Sequence, residues 1–472
     1  MPLRSLAFVL LSAAAPLAQA QGTLPAPARQ ALAGAGIPAA SVAAVVQEVG
    51  SHQDILRTNA GAAMNPASVM KLVTTYAALE LLGPAYRWNT EAYATGAMQD
   101  GVLEGDLFLK GGGDPKLDLE AFTRLVRALR GKGLREIRGD LVLDRSRFER
   151  NGGDAARFDG DPFRPYNVQP DALLVNYKSV RFAFLAEPER AAVRIYTEPR
   201  PPALEVINAL RLAEGACPEG SAFRELLKPT FEPARQRAVF SGQYPVSCGE
   251  KHLNVALLEP NDQVAGVMRQ LWSESGGAWN GSARDGLVPP GARLLHALES
   301  PPLADIVHDT NKFSNNIMAR HLFLTLGAEG AGAPASAEKS LAAIRGWLAA
   351  KKIAAPELVM ENGSGLSRIE RISAGNLAAL LQAAWRSAVM PEFISSMPIA
   401  GTDGTMRRRV NGEGITGQAH IKTGLLSDVR AMAGYVLDRH GRRMVVVMIV
   451  NHANAHQAQP AMDALLRWIY ER

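Results

Sequence analysis

Apolar residues recur at helical spacing between Asn65 and Pro84, where Val69, Leu72, Val73, Tyr76 and Leu79 share one face. Asn65 is a good N-cap, Pro66 suits a first helical turn, and Gly83-Pro84 ends the helix. From about Arg87 the period changes. TEAYATG, GVLEGDLFLKGGGDP and IRGDLVLDRSRF are short alternating runs broken by Gly and Asp, which predicts strands, with Phe122 to Arg130 helical among them. Residues from about 183 to 255 are Pro-rich with further strand-like runs. Long helical patterns return from about Ala304, in NKFSNNIMARHLFLTLG, in Ala335 to Lys352 and in Ala374 to Ala388. ITGQAHIKTG, MAGYVLD and MVVVMIVNH then read as strands, before an amphipathic helix from Gln459 to Glu471. Helix at each end with β between predicts an α/β (α+β) fold. One domain is expected from 21–86 and 282–472, interrupted by β-rich domains over 87–281 with a nested subdomain at about 183–240.

The first twenty residues belong to a different category. Arg4 supplies a positive start, Leu6 to Leu11 an apolar stretch, and Ala18-Gln19-Ala20 a small-residue cleavage signal, so 1–20 reads as a signal peptide cut after Ala20. No later run approaches the roughly 20 apolar residues that a membrane span requires. The expectation is an exported, periplasmic chain whose contact with membrane is at most peripheral. Hydrophobic residues at 47% and charged residues at 21% argue against wholesale disorder. A net charge of +5 is too small to suggest nucleic acid as a partner. Two cysteines, Cys217 and Cys248, cannot form a cysteine-rich metal site. In an oxidising compartment they read as a disulfide closing a loop of about 30 residues, against the alternative of a nucleophilic cysteine.

Ser68 and Lys71 stand three residues apart, on one face of the first predicted helix. Near a helix start, free N–H groups and the dipole favour developing negative charge. A serine hydroxyl is a weak nucleophile until a neighbouring base takes its proton, and a desolvated lysine can do so. The pattern alone is weak, because Ser336 and Lys339 repeat it early in another helix. Two further motifs select the first pair. Ser314-Asn315-Asn316 offers a second hydroxyl and an amide at the start of a helical segment. Lys422-Thr423-Gly424 follows a strand-like stretch, with a lysine and a threonine able to bind a carboxylate and a glycine that admits substrate backbone.

Ser-x-x-Lys, Ser-x-Asn and Lys-Thr-Gly in that order resemble the signature of penicillin-recognising serine enzymes. More narrowly, the sequence resembles the low-molecular-mass class C penicillin-binding proteins, the D-alanyl-D-alanine carboxypeptidase/endopeptidase family. The 246 positions from Ser68 to Ser314 agree with the extra domains that this class carries there, and LEGDLFLKGGGDP, ENGSGLSR and MAGYV are family-like stretches. The resemblance implies a transpeptidase/β-lactamase-like catalytic domain, no cofactor and no metal, and two kinds of partner: peptidoglycan peptides ending in D-Ala-D-Ala, and β-lactams. It implies Ser68 as nucleophile, Lys71 as proton acceptor, Ser314 as proton relay, Asn316 as holder of Lys71 and substrate, and Lys422 with Thr423 on the terminal carboxylate. Gly424 admits the substrate backbone, and the N–H groups of Ser68 and Leu425 would form an oxyanion hole. Leu425 departs from the family pattern, where many relatives carry Thr or Ser. Arg368 and Asp161 are candidates for contacts to the stem peptide. The alternatives are an ion pair for Arg368 and a turn aspartate before Pro162 for Asp161.

Readings outside this class have less behind them. His452 and His456 are spaced i, i+4 but lack the Glu of a zinc-peptidase motif, and no Gly-x-Ser-x-Gly occurs. A penicillin-binding sensor or cell-wall scaffold that does not turn over, or a β-lactamase or esterase on the same motifs, stays open. So do a homo-oligomeric state and the balance of carboxypeptidase against endopeptidase.

Overall fold

The run MVVVMIV is apolar at every position because it forms the centre of a sheet covered on both faces. The computed structural model describes residues 22–51, 53–150, 153–412 and 414–472; the leader expected over 1–20 lies outside them. The strands β1 (Val42–Glu48), β2 (Asp54–Thr58), β3 (Ala419–Leu425), β4 (Val429–Leu437) and β5 (Arg443–Asn451) pair antiparallel in the order β2-β1-β5-β4-β3. Side chains alternate along each strand. Val445, Val447 and Ile449 of β5 therefore share one core with Val45 and Ala433, while Met444, Val446, Met448 and Val450 enter a second.

Helices that surround the sheet include α1 (Ala26–Gly34), α2 (Lys71–Leu82), α3 (Leu303–Lys312), α4 (Asn316–Ala331), α5 (Ala337–Ala350), α6 (Ala374–Trp385) and α7 (Gln459–Glu471). α1 and α7 cover the second core, and the others cover the first. α2 is the buried axis of this group, with Leu72, Val73, Tyr76, Ala77 and Leu79 all inaccessible. Among the described residues no helix is long and apolar enough to cross a membrane.

Between α2 and α3 the chain makes a long excursion. Strands Asn89–Ala94, Leu107–Gly111, Leu141–Asp144, Ala283–Asp285 and Arg293–Glu299 form one sheet, and helices Leu119–Gly131 and Pro260–Glu274 pack on it. The return expected at 282 falls short. Arg293–Glu299 pairs antiparallel with Asn89–Ala94, so the sheet opened at Asn89 closes only at Glu299. The excursion leaves and re-enters at one point: Ser300 N–H donates to the Trp88 carbonyl at 2.9 Å, and Trp88 N–H donates to Ser300 Oγ at 3.0 Å.

A second unit is nested within the first. Its boundaries are wider than the expected 183–240, because Glu250–Val255 pairs with Val180–Glu187 and completes its sheet. Phe182, Phe184, Phe240 and Tyr244 form its buried aromatic centre. Cys217 and Cys248 are joined as a disulfide across a separation of 31 residues. Closing a loop of that length removes about 3–4 kcal/mol of chain entropy from the unfolded state. The double substitution Cys217→Ser/Cys248→Ser is expected to lower stability by about that amount in denaturant unfolding. Penicillin acylation should be unaffected, because the bridge belongs to the core of the nested unit, whereas Ser68 stands at the start of α2.

Candidate active site

The start of α2 is held by one asparagine. Asn65 is buried; its Oδ1 accepts from Ala67 N–H at 2.9 Å and its Nδ2 donates to the Ser367 carbonyl at 2.8 Å. Its own N–H donates to Asn451 Oδ1 at the end of β5. The helix predicted from Asn65 begins instead as a 3₁₀ turn over Ala67–Met70, with Ala67 at a φ of 46°, and becomes α-helical at Lys71. Two glycines allow other chain segments to close on this turn. A Cβ on Gly365 would lie 1.9 Å from the Ala67 carbonyl oxygen, and one on Gly424 would lie 2.5 Å from that of Pro66. The glycine of Lys422-Thr423-Gly424 is thus required for β3 to pass beneath the serine-bearing turn.

Ser68 stands half-buried on that turn, and Lys71 is fully buried below it. Lys71 Nζ lies 2.9 Å from Ser68 Oγ, 2.6 Å from Asn316 Oδ1 and 2.5 Å from the Ser364 carbonyl oxygen. The two carbonyl oxygens can only accept, so in the neutral amine they would take both N–H bonds and leave the lone pair to the Ser68 hydroxyl, whereas the ammonium would donate to all three oxygens. Burial holds Lys71 well below the usual lysine value, and the nearby charge of Lys422 acts in the same sense. Burial and the charge of Lys422 therefore favour the neutral amine, in an arrangement that leaves Ser68 as its third neighbour.

The second hydroxyl comes from a break in helix. NKFSNNIMARHLFLTLG reads as one helical pattern, but α3 stops at Lys312 and α4 starts at Asn316. Lys312 is tied down by Asp403 Oδ2 at 2.6 Å and the Met397 carbonyl at 2.7 Å. Ser314 takes a φ of 56°, and Asn315 caps α4 by accepting from Met318 N–H at 3.1 Å. The break turns Ser314 toward β3, where Lys422 Nζ donates to its Oγ at 2.9 Å and to the Thr423 carbonyl at 2.9 Å. Thr405 Oγ1 lies 2.8 Å from Thr423 Oγ1. Burial pushes Lys422 down to about 7. Leu425 ends β3 with its side chain exposed.

Ser68, Lys71, Ser314, Asn316, Lys422, Thr423 and Gly424 are thus drawn into one place from α2, the α3–α4 break and β3. Arg368 stands at the rim, donating to Ser427 Oγ and Asp428 Oδ1 at 3.0 Å each, with its guanidinium over the Phe158 ring. Asp161 is engaged within its own segment. Its carboxylate pairs with Arg164 and Arg224 and accepts from Phe163 N–H, a turn and ion-pair role inside the inserted region. Ser336 caps α5 through Lys339 N–H, and Lys339 Nζ donates to the Gly332 and Pro334 carbonyls, so that repeat of the Ser-x-x-Lys spacing is a helix start. Sequence reasoning passed over the Ser364 carbonyl, Thr405 and Glu370. The ENGSGLSR stretch was visible, but which of its atoms turn toward Lys71 was not.

A family model for D-Ala-D-Ala carboxypeptidase 3 (S13) matches residues 28–471. The chain is 28% identical over 432 residues to the D-alanyl-D-alanine carboxypeptidase of Actinomadura sp. (strain R39), covering 89% of this chain and 79% of that protein. It is 24% identical over 416 residues to the D-alanyl-D-alanine carboxypeptidase DacB of Haemophilus influenzae, covering 87% and 85%. The crystal structure of penicillin binding protein 4 (dacB) from Haemophilus influenzae superposes with a TM-score of 0.78 at 22% identity, over 94% of this chain and 99% of that one.

Proposed function

The chain belongs to the D-Ala-D-Ala carboxypeptidase 3 (S13) family, and we propose that it uses Ser68 to hydrolyse the D-alanyl-D-alanine ends of peptidoglycan stem peptides in the periplasm, once the leader ending at Ala20 is removed. The observation that carries this reading is the surroundings of Lys71, a buried amine 2.9 Å from Ser68 Oγ whose other two contacts are carbonyl oxygens. Lys71 takes the Ser68 proton as Oγ attacks the carbonyl. The N–H groups of Ser68 and Leu425 receive the oxyanion, at about 3–4 kcal/mol for each donor. Lys422 and Thr423 hold the terminal carboxylate. The proton passes through Ser314 to the leaving amine, the C–N bond breaks, and water hydrolyses the ester. β-Lactams imitate the same end and acylate the same serine.

Endopeptidase cleavage of crosslinks is a second activity of this site. Beside Ser314 and Asn316 lies a cavity of about 960 Å³ bordered by Phe313, Tyr166, Tyr177, Arg181 and Glu198. That is far more room than a free alanine requires, and Phe313 is 67% exposed at its edge. Mass spectrometry of purified muropeptides tests both activities. The expected products are tetrapeptide plus D-Ala from uncrosslinked pentapeptide, and monomers from crosslinked dimers. A stable penicillin adduct with neither product would leave a sensor that acylates without turnover. Rapid release of hydrolysed penicillin without D-Ala would point to a β-lactamase.

A further inference from the structure

Against the loop that offers its Ser364 carbonyl to Lys71 sits a carboxyl group for which the acyl transfer described above has no use. Glu370 is fully buried, and its Oε1 accepts from the N–H groups of Glu361 and Asn362 at 3.3 and 3.2 Å. Its Oε2 has no hydrogen-bond partner. A buried carboxylate with an idle oxygen is costly unless a nearby positive charge compensates it or a proton neutralises it. Burial pushes this group up to about 7.

The charges around the pair are few. Lys71 on α2 and Arg320 on α4 face Glu370 with opposite sign, and Glu361 faces it with like sign. Lys71 is faced by Glu370, by Arg320 and by Lys422 on β3. Arg320 directs Nη1 to the Val168 carbonyl, and its Nε is unpartnered. The hydrogen bonds of Lys71 go to Ser68, Asn316 and Ser364, so Glu370 acts on it through space. It also braces the loop that supplies the Ser364 carbonyl. Asn362 Oδ1 accepts from Ser364 N–H and Oγ–H, and Thr74 Oγ1 donates to the Gly363 carbonyl.

We infer that Glu370 is the counter-charge of Lys71, a positioning residue that sets the fraction of enzyme in which this amine is neutral and ready to take the Ser68 proton. The inference rests on the reading of Lys71 as the base. Ammonium with carboxylate and amine with carboxylic acid carry the same net charge and differ in where one proton resides. Of these two, only the second has the neutral amine that the reaction needs, and loss of the remaining proton at higher pH leaves the amine neutral as well. During acylation the Ser68 Oγ–C bond forms, the C–N bond breaks and the Ser68 proton leaves with the amine, so Glu370 ends as it began.

An anionic Glu370 raises the proton affinity of Lys71, and glutamine cannot. Glu370→Gln keeps an oxygen for the two loop N–H groups while removing the charge. The rate of acylation by a fluorescent penicillin, followed from pH 4 to pH 9, is expected to have its acid limb about one unit lower in the variant. Where Glu370 is ionised on that limb, acylation would be roughly tenfold faster than in the wild type, and the two rates converge at lower pH, where Glu370 is itself protonated. An acid limb that stays in place, with the rate reduced equally at every pH, would mean a purely structural role and overturn the inference. If Glu370→Gln does not fold, infrared titration of the wild type decides. A buried carboxylic-acid band must then titrate within the pH range of the acid limb, and its absence at every pH overturns the inference. Lys71→Ala in the same assay separates the two readings. Acylation that survives there defeats the assignment of the base, whereas an unshifted Glu370→Gln limb with Lys71 essential defeats only the counter-charge.

Discussion

Ser68→Ala is expected to abolish both covalent penicillin labelling and release of D-Ala, a loss of at least about 10⁴-fold, while Ser336→Ala changes neither. The contrast rests on what each Ser-x-x-Lys pair does with its amine. Lys71 is enclosed, with two acceptors and the Ser68 hydroxyl as its neighbours. Lys339 lies at the surface and spends its amine on the carbonyls of Gly332 and Pro334. The Ser336 hydroxyl serves a backbone N–H as a cap, so its loss should appear only in stability, at about 1 kcal/mol. Intact-mass measurement after incubation with penicillin reads the covalent event directly. An adduct of full stoichiometry on the Ser68→Ala protein would remove the nucleophile from this account.

Lys71→Ala should retain the fold and lose acylation by about 10³- to 10⁴-fold, the range expected when a positioned general base is deleted. Folding should survive because the substitution also removes a buried amine, offsetting the loss of donors for Asn316 and Ser364. A thermal melt checks the fold, and single-turnover acylation checks the rate. The pH profile of the wild type adds an independent test. As pH falls, Lys71 gains a proton and acylation declines. As pH rises through about 7, Lys422 in the free enzyme sheds the charge that attracts the terminal carboxylate. A bell-shaped kcat/KM is therefore expected, with its alkaline side beginning near neutrality. Activity that climbs steadily to high pH would show that Lys422 is not required as a cation.

Much of this architecture was legible because local pattern and tertiary role coincide. A strand covered on both faces must be apolar throughout, and MVVVMIV is. Ser373 and Ser336 stand at helix starts that the periodicity of the following residues announces, and both serve as caps. The three catalytic motifs could be picked out because each couples a reactive side chain to a fixed local geometry. What stayed hidden depends on partners remote in sequence. The break at Phe313–Asn315 interrupts a pattern that is helical on both sides, and the tie between Lys312 and Asp403 that marks it spans 91 residues. Asp161 looked like a turn residue near a binding region, and its partner Arg224 is 63 positions away. Glu370 reads as an ordinary loop charge, since nothing in SRIERIS indicates that one glutamate is enclosed while its neighbour Ile369 is 53% exposed. The end of the inserted sheet was placed too early for a similar reason. Ala283–Asp285 and Arg293–Glu299 are short strands whose pairing partners lie about 140 and about 200 residues upstream, respectively.

The hydrogen-bonded meeting of Trp88 and Ser300 has a consequence for how the polypeptide assembles. α2 must find α3 and α4 across more than 200 intervening residues, and joining ends so far apart in a slack chain carries a substantial entropic penalty. Once the excursion has folded on itself, its two exits emerge side by side, and the effective tether between α2 and α3 shrinks to a handful of residues. An early-folding middle would thus act as a clasp, presenting the two halves of the acyl-transfer body to each other as near neighbours.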